Sequence, residues 1–204
     1  MILYHCVGGR SFRALWAMEE LGVECALRVL PFPPRLTSPD YLAENPLGTI
    51  PLLIDGDTRM RESSMIGHYL ATKAGSELAV APTEADYGRY LDGLAYGETT
   101  LTWPQAVALL YGTFPPEADR LPRVVDDMKA RLGIVFGDLD RLLSEREWFA
   151  ADRFTMADVS IGYAIQLSAY VGVRDGLSDR VRTYFERLSA RPAYQRALAR
   201  KEQP

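Results

Sequence analysis

ENPLGTIPLLIDGDTRMRESSMIGHYL, residues 44–70, decides how the chain is read. Its strand formers at 49–54, TIPLLI, carry Pro51 near their start. Proline has no N–H to give to a ladder, so a central strand rejects it. The strand is therefore an edge strand, or the proline marks a bend with a purpose. Asp55-Gly56-Asp57 is a tight-turn signal, and TRMR at 58–61 reads as the return strand of a hairpin. Glu62-Ser63 then precedes a helical pattern that turns Met65, Ile66, Tyr69 and Leu70 inward and stops at Gly75.

Upstream, ILYHC at 2–6 is rich in strand formers and ends at Gly8-Gly9. SFRALWAMEELGV reads as a helix, with Ala14, Leu15, Met18 and Leu21 as an apolar face near period 3.6 and Gly22 as its C-cap. CALRVL at 25–30 is a second strand with Cys25, Leu27 and Val29 on one face. A β-α-β opening predicts two parallel strands with a helix across them. PFPPRLTSP at 31–39 reads as a proline-rich loop, and 39–44 as a short helix. The order to residue 76 is β-α-β-α-β-β-α, a mixed sheet with helices on its faces.

Downstream, SELAVAPTEA is a linker near 76–84, after which the strand signals vanish. Residues 84–111 read as helical. The stretch 120–143 has the clearest helical period, through Leu121, Val124, Val125, Met128, Leu132, Val135, Phe136, Leu139 and Leu142. Another helix follows DRFTMADVS, and a last pair over about 178–200 breaks at Pro192. Thr155-x-x-Asp158 has the form of a capping box, with Asp in place of Glu and Phe154 as a candidate staple. It reads as structural.

The 204 residues are enough for a sizeable core, and 48% hydrophobic with 25% charged residues is globular composition. A formal net charge of −4 with dispersed arginines gives no reason to expect nucleic acid as a partner. Two cysteines and two histidines without a Cys-x-x-Cys give no metal-ligand spacing. No apolar run approaches 18 residues and the N-terminus opens on a strand, so no membrane span or signal peptide is expected. A reducing, cytoplasmic setting is the expectation.

Four segments, in order, resemble the cytosolic glutathione S-transferase family. NPLGTIPLL is similar to its Asn-Pro-x-Gly-x-(Val/Ile)-Pro segment and ESSMIGHYL to its Glu-Ser-x-x-Ile-x-x-Tyr-Leu segment. FTMADVSIG resembles its Thr-x-Ala-Asp motif and ERLSARPAYQRAL its C-terminal signature. SFRALWAMEELGVECAL is similar to the first helix of bacterial members. The resemblance implies a thioredoxin-like β-α-β-α-β-β-α domain over 1–76 and an all-helical domain over 84–204. It implies glutathione as co-substrate with no metal, and a homodimer acting in detoxification.

For the site, the resemblance implies a cis Ile50–Pro51 peptide. Residue 50 would then offer its backbone to glutathione as an added strand offers its own. Ser63, at a helix N-terminus, would hold the γ-glutamyl carboxylate, and Glu62 the ammonium. Thr49 would also reach the ligand, at a place where many relatives carry lysine. Taken alone, Glu62-Ser63 reads as a plain helix cap with an acidic first turn. The reaction implied is thiolate attack on a small electrophile. Relatives place a hydroxyl or cysteine at the start of the first helix, and here those positions are Gly9 and Arg10. Ser11, Arg10, Tyr4 and the helix N–H groups remain as thiolate partners. Ser11 reads otherwise as a cap, Arg10 as a surface residue and Tyr4 as packing, and Cys6 reads as a small buried residue. The thiolate is expected to rest on Arg10 and backbone N–H groups.

Trp103, Tyr111, Phe114 and Tyr163 are candidates for an apolar electrophile pocket, against ordinary helix packing. Glu98 is a candidate to reach the partner subunit's ligand. Two function classes follow: a glutathione S-transferase-like enzyme, or a binding module that keeps the fold without turnover. A Ser-His-Asp hydrolase is disfavoured, because no Gly-x-Ser-x-Gly elbow is present.

Overall fold

The sheet is built from four short strands in the order β2-β1-β3-β4: β1 (Ile2–His5), β2 (Ala26–Val29), β3 (Leu52–Asp55) and β4 (Thr58–Met60). The computed structural model describes residues 1–200. β1 and β2 run parallel, with Leu3 opposite Leu27, as the β-α-β opening predicts. β3 is antiparallel to β1 and β4, and the two-residue turn at Gly56-Asp57 closes the hairpin with Asp55 opposite Thr58. β3 starts three residues later than TIPLLI suggested. The ladder with β1 ends at Tyr4 opposite Leu52, so Pro51, which has no N–H to contribute, stands just outside it. The Ile50–Pro51 and Phe32–Pro33 peptides are both cis.

Helix α1 (Ser11–Leu21) crosses between β1 and β2, and Gly22, in the left-handed region, returns its N–H to Met18. A one-sided face was expected, yet Ser11 through Met18 are all buried. The proline-rich loop holds a single turn, α2 (Pro34–Thr37), before α3 (Tyr41–Glu44), and α4 (Ser63–Lys73) follows the hairpin. In α4, Ile66 and Leu70 are buried as the pattern predicts, while Tyr69 instead hands its hydroxyl to Asp55 over 2.8 Å.

The described residues form two compact units. One is Met1–Ala79 together with the segment from Ser189, which carries α10 (Pro192–Arg200), whereas the domain implied by the resemblance ran over 84–204. Tyr194 of α10 meets Phe12 and Trp16 of α1 edge-on, with ring centres 5.5 and 5.0 Å away. Arg191 forms a forked pair with Glu20 at 2.6 and 2.8 Å, and Arg196 and Arg200 both reach Glu19. Forked, half-buried pairs of this kind fix geometry more firmly than exposed ones.

The other unit, Val80–Leu188, is helical, with no strand among its residues: α5 (Tyr87–Ala95), α6 (Trp103–Gly112), α7 (Pro122–Leu142), α8 (Met156–Val171) and α9 (Asp179–Ser189). The expected continuous helix over 84–111 is interrupted by a π-helical turn, Tyr96–Thr102. Beside it Ser160 of α8 donates to the carbonyl of Leu94. In α7 only Leu132, Val135, Phe136 and Leu139 are buried, and Leu121 is 48% exposed. The capping box is present: Thr155 accepts from Ala157 N–H, and Asp158 accepts from Thr155 N–H at 2.8 Å. Asp158 also accepts from Phe149 N–H and the Tyr184 hydroxyl at 2.9 and 2.6 Å. No helix among the described residues is long and apolar enough to cross a membrane.

Candidate functional site

The loop that leads into β3 is held from behind by a small polar cluster. Asn45 Nδ2 donates to the carbonyl of Thr49 at 2.8 Å and lies 3.2 Å from its hydroxyl. Tyr41 donates to the same carbonyl at 2.6 Å, and Arg61 Nε donates to Asn45 Oδ1 at 3.0 Å. Gly48 completes the loop at φ +59, where a Cβ would stand 2.5 Å from the Cβ of Arg35. Both the backbone and the space demand glycine there. Asn45 and Gly48 of NPLG are thus supports for Thr49 and Ile50. Thr49 is exposed, Ile50 is half-buried and Pro51 is buried. Ile50 lies beyond the last paired residue of the sheet, Leu52.

Three residues past the end of β4 comes the start of α4. Glu62 has extended backbone (φ −80, ψ 109), is exposed and gives no side-chain cap. Ser63 is the first helical residue and 4% exposed. Its Oγ accepts from Nη1 of Arg13 at 3.2 Å. Arg13, on α1, is 1% exposed. Nothing in the sequence marks it, because it falls within the apolar run of the first helix and its partner is fifty positions away. The first N–H groups of a helix have no carbonyl within it, and its dipole favours negative charge there. This helix end is accordingly suited to hold an anion.

The start of α1 is arranged otherwise. Ser11 is fully buried and its Oγ lies 2.8 Å from His5 Nδ1, while accepting from Cys6 N–H at 3.2 Å. The hydroxyl folds back to brace the loop from β1. This pair has the spacing of a nucleophile and base, but both residues are 0% exposed, so no substrate reaches it. A Cβ at Gly9 would stand 3.1 Å from the carbonyl of Cys6, which already accepts from Gly9 N–H. The tight turn therefore leaves little room for a side chain at position 9. Arg10 stands at the N-cap of α1, partly exposed. The N–H groups of Phe12 and Arg13 bond back to the carbonyls of Gly9 and Arg10, both ahead of the helix, and the amide of Ser11 precedes these turns. Cys6 is buried, and burial pushes its thiol up to about 11, which keeps it protonated and unreactive at neutral pH. Tyr4 packs on Tyr41 with ring centres 5.0 Å apart.

In the helical unit, Tyr163 is buried at 3% exposure, whereas Trp103, Tyr111 and Phe114 are 54%, 38% and 55% exposed. Glu98 lies on the π-helical turn. Among the described residues no group of three or more His, Cys, Asp or Glu side chains could hold a metal ion.

Comparison with known proteins bears on both units. Residues 10–73 match the family model described as the glutathione S-transferase N-terminal domain. Glutathione S-transferase 3 of Zea mays is 30% identical over 172 residues, covering 79% of this chain and 75% of that protein. Glutathione S-transferase F10 of Arabidopsis thaliana is 27% identical, covering 100% of this chain and 99% of that one. Among solved structures, a sphingomonad glutathione S-transferase complexed with glutathione superposes with a TM-score of 0.87 at 24% identity, covering 100% of both chains. The Phanerochaete chrysosporium transferase URE2P8, solved with oxidised glutathione, has a TM-score of 0.85 at 20% identity, covering 99% and 95%.

Proposed function

We propose the following roles on the premise that the chain belongs to the glutathione S-transferase family and is a glutathione S-transferase-like enzyme with glutathione as co-substrate. Glutathione lies along the unpaired lead-in to β3. The N–H and C=O of Ile50 pair with its cysteinyl unit as an added strand would, Pro51 ends the native ladder, and Thr49 flanks the ligand. The γ-glutamyl carboxylate sits on the first turn of α4, where the hydroxyl and N–H of Ser63 donate to it, and Glu62 accepts from its ammonium. The observation that carries this reading is Ser63, the first residue of α4, standing on an uncapped helix end in the same unit as the unpaired lead-in to β3 before Leu52.

The reaction is attack by the glutathione thiolate on a small electrophile. A free thiol titrates near 8.5, so the enzyme must favour its ionised form. With the Ser11 hydroxyl turned onto His5, the start of α1 contributes through charge and amides: the Arg10 guanidinium and the first N–H groups, that of Ser11 included. Trp103, Tyr111, Phe114 and Tyr163 of the helical unit line the electrophile pocket. The protein works as a cytoplasmic homodimer in detoxification, with Glu98 reaching the γ-glutamyl ammonium of the partner subunit's ligand.

The folded-back Ser11 favours one second reading: a module that binds glutathione without turnover. Ultraviolet titration of the bound thiolate separates the two. The enzyme reading expects the bound thiol to titrate below about 8.5 in the wild type and roughly a unit higher in Arg10→Ala, with turnover falling by about tenfold. A bound thiol that titrates at its free value supports the non-catalytic module. An unchanged titration in active Arg10→Ala removes Arg10 from the mechanism.

A further inference from the structure

Arg13 is buried to 1% exposure on α1, and its Nη1 donates to Ser63 Oγ at 3.2 Å. A guanidinium has five donors and no acceptor, and a serine hydroxyl has one proton and two lone pairs. A bond between them therefore has one polarity only: Ser63 accepts. Its own proton cannot be directed at Arg13 and is left for a different acceptor. Ser63 also begins α4, where the first amides lack helical partners and the dipole is positive. Hydroxyl, amides and nearby guanidinium all favour a group that accepts and carries negative charge. The amides and the guanidinium disfavour a group that must donate.

We propose that Arg13 is a positioning residue for the anion site at α4. By holding Ser63 Oγ as an acceptor it commits that hydroxyl to donate, and so sets the selectivity of this helix end for a carboxylate over a neutral amide. Arg13 acts through Ser63 and does not touch the ligand. The inference rests on the reading that the γ-glutamyl carboxylate of glutathione binds at Ser63. It adds what makes that place selective.

The test is calorimetric binding of two ligands, glutathione and its analogue with the γ-glutamyl α-carboxylate converted to a carboxamide. The proteins are the wild type, Arg13→Gln, Arg13→Met and Arg13→Lys. The wild type is expected to prefer glutathione by roughly tenfold or more, the range for a hydrogen bond to a charged group. Glutamine both donates and accepts and methionine does neither, so in each variant the Ser63 proton is no longer committed. The preference then falls several-fold. Lysine, a donor without an acceptor, restores it. The ratio is internal to each protein, so a merely loosened fold weakens both ligands together and leaves it unmoved. Arg13→Gln and Arg13→Met also guard against one variant failing to fold. A ratio equal to wild type in either folded variant overturns the proposal alone. A wild type that binds neither ligand removes the glutathione reading, and this proposal with it.

Discussion

The starts of α8 and α4 carry similar residue types, Thr155-Met156-Ala157-Asp158 and Glu62-Ser63-Ser64, yet they reach opposite states. At α8 the chain satisfies itself. Thr155 accepts from Ala157 N–H, and Asp158 accepts from Thr155 N–H, from Phe149 N–H and from Tyr184. At α4 neither Glu62 nor Ser63 caps the helix; Ser63 is turned to Arg13 and Glu62 stays exposed. A helix end closed by its own side chains and buried is a structural joint. The open end of α4 is where we propose that the glutathione carboxylate binds. The start of α1 is a third case, with a serine present but closed onto His5 and Cys6.

This contrast can be broken from either side, and the largest effect belongs to α8. Asp158→Ala leaves the Tyr184 hydroxyl and two buried N–H groups without an acceptor, each worth about 1–3 kcal/mol. A loss on the order of 3–5 kcal/mol is expected in denaturant unfolding. Thr155→Ala removes the cap and the hydroxyl's bond to Asp158 Oδ2 but leaves the carboxylate in place, and is expected to cost about 0.5–2 kcal/mol by the same measurement. A smaller effect probes the α1 start. The Cys6 thiol is raised by burial from 9.0 to about 11, so as pH rises through that window the unfolded chain loses its thiol proton first. The folded state then binds more protons, and stability falls with rising pH. Unfolding midpoints compared between about pH 8 and about pH 10.5 should therefore decline less in Cys6→Ala than in the wild type.

Much of the first unit is legible in the sequence, because local signals there agree with the tertiary outcome. The hairpin turn at Asp55-Gly56-Asp57, the Gly22 stop and the parallel β1–β2 pair all follow from short-range pattern. The segments that carry the family resemblance also mark the helix start at Ser63. What escapes notice depends on distant partners. Arg13 carries no local signal, and its role shows only when Ser63 is brought to it. Ser11 looks like a cap until His5 is seen beside it. The π-helical turn interrupts a pattern that reads as continuous helix. The association of α10 with α1 rests on Arg191–Glu20, Arg196–Glu19 and Arg200–Glu19, residues at opposite ends of the chain. Periodicity carries no information about such pairs.

Titration calorimetry of glutathione into the wild type, Ser63→Ala and Thr155→Ala tests the contrast most directly. The account predicts that the wild type binds, that Ser63→Ala weakens binding by roughly tenfold or more, and that Thr155→Ala binds as the wild type does despite its lower stability. Wild-type affinity in Ser63→Ala, or no binding by the wild type at millimolar ligand, would contradict it.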